Sequence, residues 1–146
     1  MSSLKKINII MVEVNKSIFP DEIHLKDLGI HKGTRKFELL QDFRCNYYDG
    51  SVVTVQKGFI TDGVSVPRFA WAIIGPFGSA FPAALIHDWL FSPFNKKYNW
   101  GQTNWMFYKL MKDCGVSFIE RQVIYGAVVI GSYPIWKKRL EIYGIK

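Results

Sequence analysis

Cysteine is scarce in this chain: Cys45 and Cys114 are the two that occur in 146 residues. A disulfide framework of the small secreted kind is therefore excluded, and no CxxC or Cys/His spacing offers a zinc site. Long apolar runs are missing as well. The nearest to one, residues 123–135, is interrupted by Gly126, Gly131 and Pro134 and falls short of the ~18 residues a spanning helix needs. The opening MSSLKKINIIMVEV lacks the pattern of a signal peptide, because Glu13 cuts the apolar stretch and no small-residue cleavage site follows. These absences predict a protein without a transmembrane segment, not secreted by a signal peptide, and kept in a cytoplasm or assembled there into a particle. Also missing are GxSxG, HExxH and a glycine loop followed by Lys-Ser/Thr, so the common serine-hydrolase, zinc-peptidase and nucleotide-binding signatures do not apply.

Acidic residues are outnumbered, 12 against 19 Lys and Arg, for a formal charge of +7. The excess is densest at Lys137-Lys138-Arg139 and around residues 31–36. It suits an anionic partner (phospholipid, nucleic acid or an acidic protein surface) without choosing among them, and it also serves simply to keep a surface solvated. Aromatics are abundant, with eleven Phe, seven Tyr and five Trp. A chain of this length and apolar content buries a core unaided and reads as one globular domain.

Hydrophobic periodicity divides the chain. Residues 1–36 show no sustained apolar period and read as irregular, with an edge strand at most. Between residues 37 and 60, short β-branched and aromatic runs flank Asp49-Gly50, a strong hairpin signal because the turn needs positive φ where Gly carries no steric penalty. Residues 61–78 read as a loop. From residue 79 the period lengthens toward 3.6, and helices are expected near 80–91, 102–113 and 117–131. Pro82 fits a first turn, Pro93 a stop, Gly115 a C-cap, Ser117 with Glu120 a capping box, and Pro134 a kink or an end. The fold class is α+β, an N-terminal antiparallel meander packed beside three C-terminal helices.

Two polar features stand out in the apolar second half: the turn Thr61-Asp62-Gly63-Val64-Ser65-Val66-Pro67-Arg68 and the pair His87-Asp88. Burying an unpaired imidazole costs ~2 kcal/mol or more, so His87 needs a partner. On a helix Asp88 points about 100° away from His87, and the two cannot bond each other as a simple dyad. That geometry allows a division of labour in which His87 acts as base and Asp88, with Asp62 and loop carbonyls, holds a cation. It is equally the pattern of a hydrogen-bonded core histidine above an Asx-turn. Because the helices are short and apolar, their polar residues should meet on a shared face, His87 against Asn104 and Asp88 against residues 62–65.

The segments GFITDGVSVPR (Gly58 to Arg68), His87-Asp88-Trp89-Leu90-Phe91 and Asn104-Trp105-Met106-Phe107 resemble, in order, the GF-TDGASxPR, HDxLY and RxxAD-xx-F pattern of a phage and bacterial family. It is number 1353 in the series of domains of unknown function. The resemblance spans roughly residues 37–131 and implies a phage or prophage origin, with a phage or host protein as partner. More distantly, the same residues are similar to the His-Asp site of prokaryotic phospholipases A2. That similarity implies a catalytic pair of His87, activating water, and Asn104, orienting it, with Asp62 and Asp88 as ligands of Ca²⁺. Gly63, Ser65, Pro67 and Arg68 would shape the loop. Asn104 departs from the pattern, which has Asp there, and Gly101 stands about where it has Arg. An amide can bond the imidazole but does not stabilise imidazolium, and the comparable change in serine proteases lowers turnover by about 10⁴. Two functions follow: a calcium-dependent ester hydrolase, weak or descended to inactivity, or a non-enzymatic virion, tail-associated or host-takeover protein in which these residues are structural.

Overall fold

The computed structural model describes residues 9–12, 14–61 and 79–144. Two compact units divide the chain, Met1–Asp62 and Gly63–Lys146. The architecture is α+β, with antiparallel strands in two small sheets followed by three helices.

In the first unit, β1 (Ile9–Val12), β2 (Ile23–His31), β3 (Thr34–Leu39) and β6 (Ile60–Thr61) form a four-stranded antiparallel sheet in the order β1-β2-β3-β6. Strands β4 (Phe43–Asn46) and β5 (Val52–Val55) form a separate two-stranded sheet. The expected meander over residues 37–60 is therefore split. β3 pairs with β2 and β6, leaving β4 and β5 as a hairpin of their own. The Asp49-Gly50 turn is where the sequence put it: Gly50 has φ 82°, and Asp49 accepts from the backbone N–H of Ser51 at 2.8 Å. Phe43 and Cys45, with Val53 and Val55 opposite, alternate buried positions with more exposed ones, the period of a half-buried strand. Phe19 stacks on Phe43 at 5.3 Å, and Arg44 forks onto the carboxylate of Asp21 at 2.8 Å, so residues 15–21 are tied to β4.

Residues 1–36, expected to be irregular with an edge strand at most, hold β1 at the sheet edge, the nine residues of β2 and the start of β3. The missing period has a physical cause. β2 carries a register shift between Asp27 and Gly29, where Gly29 adopts φ 80° and its N–H bonds the Asp27 carboxylate at 2.8 Å. One extra residue breaks the two-residue period, so the buried alternation of Ile23 and Leu25 is not continued past the bulge, where Leu28 is half-buried and Ile30 exposed, and alternation fails as a test.

The second unit contains α1 (Phe81–Phe91), α2 (Trp100–Asp113) and α3 (Phe118–Tyr143); α1 packs on α2 and α2 on α3. Pro82 sits in the first turn of α1, where a missing N–H is harmless. Asn99 opens α2 with a full capping box to Gln102, and Gly115, φ 81°, follows its end. Ser117 caps α3 by accepting from the Glu120 backbone N–H at 3.3 Å.

The third helix does not stop near residue 131. It runs through Pro134 to Tyr143 and ends at Gly144 in a left-handed cap, φ 63°. Tertiary contacts hold the segment beyond the proline. Trp136 is buried edge-on against Phe91 at 5.0 Å, and the buried Arg139 donates from Nε and Nη2 to the Ser92 carbonyl at 3.2 Å and from Nη2 to that of Asn95. Those contacts offset the one helical hydrogen bond a proline removes.

Candidate functional site

The helix α1 buries Phe81 through Ile86 and then Trp89 and Leu90, leaving His87 and Asp88 half-buried between them. His87 faces α2. Its Nε2 lies 2.8 Å from Oδ1 of Asn104, a residue 1% exposed, so the hydrogen bond expected from the sequence is present. Asn104 in turn donates through Nδ2 to the Ser132 hydroxyl on α3 at 3.4 Å, and the Trp100 indole N–H donates to the same oxygen at 3.0 Å. Four side chains from three helices thus form one relay.

Hydrogen-bond accounting fixes the protons. The Ser132 oxygen has two lone pairs and takes both N–H groups; the Asn104 oxygen, which only accepts, faces His87. The imidazole therefore carries its hydrogen on Nε2 and its lone pair on Nδ1. Around the ring stand Phe91 at 4.5 Å and Phe107 at 4.8 Å. Burial in this aromatic setting pushes the pKa of His87 down to about 4, only partly opposed by the hydrogen bond that its Nε2–H donates to Asn104. The side chain is neutral at neutral pH.

This arrangement orients the imidazole through a neutral amide. A general base works best with a pKa near the operating pH, and a neutral amide behind the ring gives no charge to steady an imidazolium. Among the described residues no three His, Cys, Asp or Glu side chains converge as a metal site. Calcium takes 6–8 oxygen ligands, and Asp88 is the one of the expected ligands that lies among the described residues. The partners expected for Asp88, Asp62 and its neighbours, together with Gly63, Ser65, Pro67 and Arg68, lie outside the described residues.

Sequence reasoning passed over Ser132 and Trp100. A signal for Ser132 exists: it shares a helical face with the buried Ile124, Val128 and Trp136, a lone hydroxyl in an apolar stripe. Trp100 gives no such signal, since its partner is 32 residues away. Asn95 was missed as well. It is buried in the α1–α2 connection, where its amide donates to the carbonyls of Leu90 and Tyr98 and accepts from the N–H groups of Lys97 and Tyr98.

Strands in small sheets followed by a helical unit with a His–Asn–Ser–Trp relay define the class: a small α+β domain whose histidine is held by an amide. Residues 37–128 match the family described as "Protein of unknown function (DUF1353)", and the chain belongs to that family. It is also similar to the "Uncharacterized protein y4jT" of Sinorhizobium fredii (strain NBRC 101917 / NGR234), at 35% identity over 108 residues. That alignment covers 73% of this chain and 31% of the relative, so the chain spans about a third of the relative's length. No solved structure matches the chain.

Proposed function

We propose that this chain is a non-hydrolytic binding protein of phage or prophage origin, in which a phospholipase-like His-Asp site has lost turnover and serves to tie the helices together. The observation that carries the reading is the relay itself: every polar group from His87 Nε2 to Trp100 Nε1 is satisfied by a neutral partner. A buried network of this kind specifies one arrangement of its helices. Its histidine, held neutral with a pKa of about 4, is a weak base. The phage origin rests on the resemblance of the Gly58-to-Arg68 and His87-Asp88 motifs to the phage and bacterial family.

A calcium-dependent ester hydrolase is the second reading, favoured by one feature. With Nε2 committed to Asn104, Nδ1 of a half-buried ring keeps its lone pair, the state a base needs before it takes a proton from water.

The deciding experiment combines thermal melting with and without calcium and a mixed-phospholipid hydrolysis assay, on the wild type, Asn104→Asp and His87→Ala. The binding-protein reading expects no calcium shift and no turnover in any of the three. Calcium at about 100 times its Kd would instead raise stability by about 2.7 kcal/mol. Hydrolysis that requires calcium, rises with Asn104→Asp and vanishes with His87→Ala would overturn the proposal in favour of the hydrolase.

A further inference from the structure

On the second helical pair, away from His87, a set of aromatic rings surrounds a cation that makes no ion pair among the described residues. Arg121 on α3 is 8% exposed, and its guanidinium lies over the ring of Tyr108 on α2 at 5.3 Å and that of Phe118 at 5.9 Å. Its Nε is buried without a hydrogen-bond partner, and among the described residues neither a hydrogen bond nor an ion pair holds the group. Ring faces attract a cation but leave its N–H donors unused. Of its side-chain nitrogens Nε alone is fully buried, so the terminal N–H groups stay open at the surface, where an anion can meet them.

The same rings extend into an exposed surface. Tyr108 stacks on Trp105 at 5.1 Å, and Tyr125 meets Tyr108 edge-on at 5.2 Å. Trp105 is 47% exposed, Phe118 62% and the adjoining Ile119 75%. Lys112, exposed one turn beyond Tyr108, adds a second cation on that face of α2. Amphipathic rings at the rim, exposed apolar side chains and cations that make no ion pair among the described residues are the composition of a surface that rests in the headgroup layer of a membrane.

We propose that the face formed by Trp105, Tyr108, Lys112, Phe118, Arg121 and Tyr125 docks on an anionic phospholipid surface, with Arg121 receiving a lipid phosphate. Charge complementarity selects the anionic lipid, and the exposed Phe118 and Ile119 select a bilayer over a fully aqueous polyanion. Single-stranded nucleic acid fits less well. A base would need an open ring face, whereas the indole of Trp105 already meets Tyr108, Tyr125 and the Lys109 ammonium. The proposal is independent of hydrolysis at His87, since docking requires no chemistry.

Co-sedimentation of the full chain with phosphatidylcholine vesicles, with and without about 30% phosphatidylglycerol, tests it. The wild type should bind the anionic vesicles at least about tenfold more strongly, with a blue shift of tryptophan emission. Each cationic side chain near such a surface contributes about fivefold, so Arg121→Gln and Lys112→Gln should each weaken binding by about that factor. Lys26→Gln, on β2, should change it less than about twofold. Because Arg121 is buried, Arg121→Gln is read alongside Phe118→Ser, an exposed change that should weaken binding while leaving the circular dichroism spectrum and melting temperature intact. Absence of vesicle binding, equal binding to both vesicle types, or equal losses from Lys26→Gln and Lys112→Gln would overturn the proposal. Binding to a single-stranded oligothymidine that depends on Arg121, without vesicle binding, would assign the face to nucleic acid instead.

Discussion

Acidification from about pH 7 to pH 5 should destabilise the protein through one side chain, His87. Its folded-state pKa is about 4 against an ordinary 6.5, with burial as the main cause. The unfolded chain therefore takes up the proton first. Stability from this group is complete above the unfolded value and is lost as pH falls from 6.5 toward 4. Linkage over that interval gives a loss of about 2 kcal/mol between about pH 7 and pH 5 as an upper value. Because His87 is half-buried, screening by solvent reduces it, and a loss of about 1 kcal/mol is the working expectation. Urea unfolding across this range measures it, with His87→Gln as the reference: glutamine can donate to Asn104 yet does not titrate. Asn104→Asp should change the sign of the effect. A buried carboxylate costs about 1–3 kcal/mol near pH 8, where the imidazole is neutral, and recovers part of that near pH 5 as imidazolium forms beside it. Wild type and His87→Gln losing stability in parallel, within about 0.3 kcal/mol, would refute the buried neutral histidine.

Ser132→Ala should cost about 2–3 kcal/mol in chemical denaturation, because the N–H groups of Asn104 and Trp100 both lose their acceptor. Asn99→Ala, which removes the side-chain acceptor of the Gln102 N–H and leaves the bond from the residue-99 N–H to the Gln102 side chain in place, should lower stability by about 1 kcal/mol in the same assay. Arg139→Ala should loosen α3 beyond Pro134, seen as faster amide exchange over residues 135–143 than over residues 118–130, since the guanidinium bonds to Ser92 and Asn95 hold that segment. Gly50→Ala should cost about 1–2 kcal/mol by thermal melting, as φ 82° leaves a Cβ strained even where no neighbour crowds it.

Local chemistry was enough to place the elements whose signals are local. The Asp49-Gly50 turn, Pro82 in a first turn and Gly115 after a helix end depend on neighbours within a few residues, so the sequence alone determined them. It also determined that His87 needed a partner, and the shared apolar faces of two short helices pointed to Asn104. Tertiary structure decided the rest. Strand β2 is legible only once its bulge explains why the apolar alternation breaks off, and its pairing with β3 and β1 spans contacts no period encodes. Pro134 looks like a helix end until Trp136 and Arg139 are seen anchored to residues far earlier in the chain. The protonation of His87 was likewise beyond sequence. It depends on Phe91, Phe107, Ser132 and Trp100 arriving from three helices, and only the folded environment decides whether burial or a hydrogen bond sets the charge of an imidazole.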